Sequence, residues 1–120
     1  MTANADLQTL IDDWLSELNQ RDLSRHTVEA YLRDVTQFIA FLAEHSGQEV
    51  SPASFDTLKA MDVRSFLARR RNIEATQSRS LARSLSGLRS FTLYLSEKNY
   101  PVRNRKNRIE IRQHKHNILI

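Results

Sequence analysis

The stretch SRHTVEAYLRDVTQFIAFL, residues 24–42, places Val28, Tyr31, Leu32, Val35, Phe38, Ile39 and Leu42 at spacings of one, three and four. At the turn angle of an α-helix these seven side chains fall within an arc of about 120°. His26, Arg33 and Gln37 cluster on the opposite side. Such a segment packs one face and exposes the other. Ser24 is a good N-cap residue for it, and Gly47, following His45 and Ser46, fits a helix stop. Gly47 to Phe55, with its Ser51-Pro52 step, reads as a loop.

The same periodicity continues on either side. Upstream, Leu7, Leu10, Ile11, Trp14, Leu15 and Leu18 form one stripe of a first helix from about Asp6 to Asn19, capped by Asn4 or Asp6. Asp6, Asp12 and Asp13 lie toward its N-terminal end, where the helix dipole favours them, and Gln20 to Leu23 form the turn. Downstream, a third helix from about Ala60 to Arg71 carries Met61, Val63, Phe66 and Leu67, with Asp62 in its first turn. Arg69, Arg70 and Arg71 close it, either as partners of its C-terminal carbonyls or as phosphate contacts. A fourth helix, from about Thr76 to Glu97, buries Leu81, Leu85, Leu88, Phe91 and Leu95. Opposite that stripe, Arg79, Arg83, Ser86 and Ser90 fall within about 60° of one another, with Gly87 beside them and Arg89 on a flank. Solvated helix faces more often mix Glu with Lys; small polar residues between arginines suit close approach to a nucleic-acid groove.

A chain of 120 residues with 40% hydrophobic and 27% charged side chains supports one core, and two Gly and two Pro leave few turns. The expectation is an all-α, four-helix bundle over residues 1–100, followed by a basic arm or linker over 101–120. That arm reads as a strap across DNA, a short strand or a disordered tail. There is no run of about 18 apolar residues, and MTANADLQTL lacks the features of a signal peptide, so a cytoplasmic protein without membrane contact is expected. Without cysteine there are no disulfides or thiolate metal sites, and His114 and His116 are isolated from acidic ligands. No metal, cofactor or small-molecule substrate is expected. The charge is polarised: residues 1–63 hold four basic and eleven acidic side chains, residues 64–120 fourteen basic and three acidic. Eleven of the fourteen arginines lie in the second part, which points to a polyanionic partner.

Residues 24–42 also resemble the S-x-x-T-x-x-x-Y-x-x-D-[LV]-x-x-F-x-x-[FY]-L run of tyrosine site-specific recombinases. Asp62 to Leu67 (DVRSFL) is similar to that family's D-I-R-x-F-L, and Leu85 to Leu95 (LSGLRSFTLYL) to its L-S-A-L-R-S-F-F-x-Y-L, most nearly in the Xer type. Order and spacing agree over roughly residues 7–100. The chain departs at Lys59, where the family often caps its third helix with Thr or Ser, and at Thr92, where the family has a second aromatic. The resemblance implies a SAM-like core-binding domain that clamps one side of a double-stranded DNA site, with other recombinase protomers as possible partners. Carried over by position, it implies DNA contacts from Ser24, Arg25 and Thr27 at the start of the second helix, and from Arg79, Arg83, Ser86, Arg89 and Ser90 on the fourth.

The recombination chemistry needs a tyrosine nucleophile with arginines, a lysine and histidines to stabilise charge on phosphorus. Tyr31, Tyr94 and Tyr100 do not match that motif, so the chain is expected to position DNA without cutting it. The competing expectation is a helical module for protein interaction or self-association. A helix-turn-helix regulator fits less well, because no Gly-containing tight turn joins the third and fourth helices.

Overall fold

The structure, a computed structural model, describes residues 3–98; the expected arm at 101–120, with His114, His116 and Tyr100, lies outside the described residues. Four helices follow one another: α1 (Ala5–Gln20), α2 (Arg25–Ser46), α3 (Ala60–Asn72) and α4 (Ser78–Glu97), with a 3-10 turn at Pro52–Phe55. Among the described residues the only extended pairing is an isolated bridge between Ala3 and Val50. The all-α bundle expected from periodicity is thus the observed architecture.

Local chemistry sets the ends. Asn4 caps α1, its Oδ1 accepting the Leu7 amide proton at 2.9 Å, which decides between the two candidate caps. Ser24 caps α2 by accepting from the Thr27 amide at 3.1 Å, and Gly47 ends it in the left-handed region at φ +71°. At α3, Lys59 occupies the cap position and the Asp62 carboxylate accepts its amide proton at 2.9 Å, so half of a capping box survives without a hydroxyl. α4 begins at Ser78 and not at Thr76, because the chain is still leaving α3: Ala75 adopts φ +54° and the Thr76 amide donates to the Arg70 carbonyl at 3.0 Å.

The helices meet along a run of aromatic contacts. Trp14 of α1 packs edge-on against Phe91 of α4 (5.0 Å between centroids), Phe91 against Phe55 (5.5 Å), Phe55 against Phe38 of α2 (6.4 Å) and Phe38 against Phe66 of α3 (5.2 Å). Each such pair contributes about 0.5–1.5 kcal/mol beyond its buried area. The segment expected to be a plain loop is therefore part of the core: Val50, Pro52, Phe55 and Leu58 are buried, and the Asn4 amide donates to the Val50 carbonyl at 2.9 Å. α2 and α4 share the most extensive helix contact and run antiparallel, with α1 and α3 packed against both. Thr92, in place of an aromatic, is buried with its hydroxyl donating to the Arg89 carbonyl at 3.1 Å.

Candidate nucleic-acid interface

α2 presents its N-terminus to solvent. Ser24 is exposed, its hydroxyl 2.9 Å from that of Thr27, and the Arg25 side chain is 89% exposed with only a 3.4 Å ion pair to Glu29. The first amides of a helix have no intrahelical acceptor, so this end offers donors and a favourable dipole to an anion. Thr27 and Tyr31 lie one turn apart on the α2 face that leads toward α4.

On α4 the expected residues separate. Arg79 is exposed and makes no ion pair among the described residues. Ser86, Arg89 and Ser90 are half-buried and line a shallow cleft with Arg21, Leu23 and Tyr31, where the α1–α2 turn leans over α4. Within it the Arg89 Nε is buried and makes no hydrogen bond among the described residues. Ser90 also has a structural duty, accepting from Trp14 Nε1 at 3.1 Å.

Arg83 is bound inward. Its Nε and Nη2 donate to the two carboxylate oxygens of Asp34 at 2.9 and 3.1 Å, and Asp34 is fully buried. The hydrogen bond and charge of Asp34 raise the Arg83 pKa despite partial burial. The same carboxylate accepts from Arg70 Nη1 at 3.3 Å, and Arg70 Nη1 also donates to Ser84 Oγ, which donates onward to the Ser80 carbonyl at 2.9 Å. Arg70 lies 5.7 Å over the Phe66 ring and 3.8 Å from Glu74. Arg69 pairs with Glu44 at 3.3 Å. Of the α3 triplet, Arg70 is therefore committed inside the protein, Arg69 is held in a surface ion pair, and Arg71 is exposed.

Two small residues of α4 face the protein. Gly87 is buried, and a Cβ there would lie 3.2 Å from Tyr31 Cδ1; Ser84 is completely buried. Gly87 lets α2 approach and Ser84 admits the Arg70 guanidinium, while Ser86 and Ser90 stay on the cleft. The Asp34 network went unread from the sequence, although Asp34, three residues after Tyr31 and four before Phe38, sits at the margin of the packed stripe.

The family profile described as phage integrase, N-terminal SAM-like domain, matches residues 11–99. The chain belongs to that family. The SAM-like domain is 45% identical over 94 residues to a protein named tyrosine recombinase XerC from Nitrobacter winogradskyi, covering 78% of this chain and 29% of that protein. Its counterpart from Brucella suis is 41% identical over 97 residues (80% and 30%), and that from Bradyrhizobium diazoefficiens 48% over 83 residues (68% and 26%). The chain thus spans about three-tenths of the length of these relatives. No solved structure matches it. Among the described residues of the SAM-like domain there is no group of three or more His, Asp or Glu side chains able to hold a metal, and no helix is long and apolar enough to cross a membrane.

Proposed function

We propose that this SAM-like domain grips duplex DNA in the cytoplasm as one half of a tyrosine recombinase clamp, while a separate catalytic domain cuts and rejoins strands. The gripping surface runs from Ser24, Arg25 and Thr27 at the start of α2, past Tyr31, to Ser86, Arg89 and Ser90, with Arg79 at the other end of the α4 face. The observation that carries this reading is Arg89: it lines an open cleft with Leu23 and Tyr31, next to the turn into α2, and makes no ion pair among the described residues. A phosphate oxygen is the acceptor such a fork of donors suits. Arg83 acts as a positioning residue that fixes α4 against α2 through Asp34, with Nη1 left over for DNA. Similarity to proteins named tyrosine recombinases supports the polymer class.

Fluorescence-anisotropy titration of a labelled duplex tests it. Arg89→Ala and Arg79→Ala should each weaken binding by about 1–2 kcal/mol with helical circular dichroism retained. Equal affinity of a folded double variant and the parent chain would overturn the assignment.

A further inference from the structure

The guanidinium of Arg83 is held along one edge only. Nε and Nη2 donate to the two oxygens of the fully buried Asp34 at 2.9 and 3.1 Å, while 32% of the side chain remains exposed. Nη1 makes no hydrogen bond among the described residues. The group is planar, and Nη2 carries a second proton on the side that faces away from Asp34, so Nη1 and Nη2 form a free end-on fork whose plane is already fixed. Its neighbours on the α4 surface are short: Ala82 is exposed and Ser86 half-buried.

The charge of this fork is already answered. Asp34 faces both Arg83 and Arg70, and Glu74 lies 3.8 Å from Arg70 Nε, so two guanidinium groups meet two carboxylates. A neutralised cation is a poor anchor for phosphate, where binding follows free charge, but it keeps the geometry of its donors. Arg79 and Arg89 differ, because neither makes an ion pair among the described residues. A fixed pair of donors without net charge suits a fixed pair of neutral acceptors. On duplex DNA that pair is O6 and N7 of guanine in the major groove.

We infer that Arg83 reads a guanine edge through Nη1 and Nη2, with Asp34 as the positioning residue behind it, while Arg79 and Arg89 contact phosphate. This rests on the proposed grip of α2 and α4 on duplex DNA and extends it from holding the polymer to discriminating its sequence.

Selection from a library of randomised duplexes by the full chain, followed by anisotropy titration of the enriched sequence, tests the assignment. One G·C position should vanish from the selection with Arg83→Ala and persist with Arg79→Ala. Changing that guanine to adenine should weaken the parent chain about fivefold or more. Replacing it with 7-deazaguanine, which lacks N7, should also weaken the parent and requires no change in the protein. Arg83→Ala, with helical circular dichroism retained, should be indifferent to both changes. Its slope of log affinity against log salt should stay near the parent's, whereas loss of a phosphate contact would lower that slope by about one. Asp34→Asn should move the guanine-to-adenine ratio toward that of Arg83→Ala, and an unchanged ratio would overturn the positioning role. A guanine preference that survives in Arg83→Ala, an enriched sequence with no guanine tied to Arg83, or a slope lowered by about one would overturn the base-reading assignment. The grip itself still stands in those cases if Arg79→Ala and Arg89→Ala weaken binding; a parent chain that binds no duplex overturns both.

Discussion

Asp34 is fully buried among side chains of α3 and α4, and its carboxylate faces the guanidinium groups of both Arg70 and Arg83. Removing the acid leaves a buried arginine without its counter-charge, the costliest way to break such a pair. Asp34→Ala should therefore destabilise the domain by about 3–5 kcal/mol. Arg83 is one-third exposed, so Arg83→Ala should cost about 1–2 kcal/mol, since Arg70 still answers Asp34. Chemical denaturation of the two variants separates them, and equal losses would contradict the arrangement. Tyr94 gives a pH test. Its folded-state pKa lies above that of the free phenol, so the folded chain keeps a proton that the unfolded chain releases. That contribution is complete below about pH 10 and is lost as pH rises through the folded value. Tyr94→Phe should flatten the alkaline limb of the stability profile, and an unchanged limb would place the loss elsewhere.

At the scale of the elements, what was legible in the sequence is what is decided within one helix. The spacing from Val28 to Leu42, the Ser24 cap and the Gly47 stop all concern neighbours within a few turns; the cap and stop are observed, and Val28, Val35, Phe38 and Ile39 are buried, whereas Tyr31, Leu32 and Leu42 are half-buried and Phe41, off the expected stripe, is buried. Phe55 and Val50 were unreadable because their partners, Phe38, Phe91 and the Asn4 amide, are distant in sequence and the segment has no period of its own. The α4 face shows the same limit. Periodicity placed Arg79, Arg83, Ser86 and Ser90 together, but only the fold reveals that Asp34 holds Arg83 and Trp14 holds Ser90. Gly87 converts this into a prediction. The Tyr31 ring that a Cβ would meet borders an open cleft and can yield by a few tenths of an ångström. Replacing a helical glycine then gains up to about 1 kcal/mol from propensity. Gly87→Ala should raise the melting temperature, whereas Gly87→Leu should lower it by forcing α2 from α4; a loss with alanine would show that Tyr31 cannot move.

At the scale of the molecule, residues 3–98 are close to electroneutral, so any affinity of this surface for DNA must come from where its unpaired cations sit and not from overall attraction. Arg21, Arg25, Arg69, Arg70 and Arg83 each face a carboxylate, while Arg79 and Arg89 face none among the described residues. Each phosphate neutralised adds about 0.9 to the slope of log affinity against log salt. Arg79→Ala and Arg89→Ala should therefore each lower that slope by about one. Arg69→Ala provides the contrast. Arg69 pairs with Glu44 beside Gln37 and Phe41, around the α2 axis from Thr27 and Tyr31, and its loss should leave the slope unchanged. If Arg69→Ala shifts the slope as much as Arg89→Ala, the grip is diffuse and the cleft between α2 and α4 is not its centre.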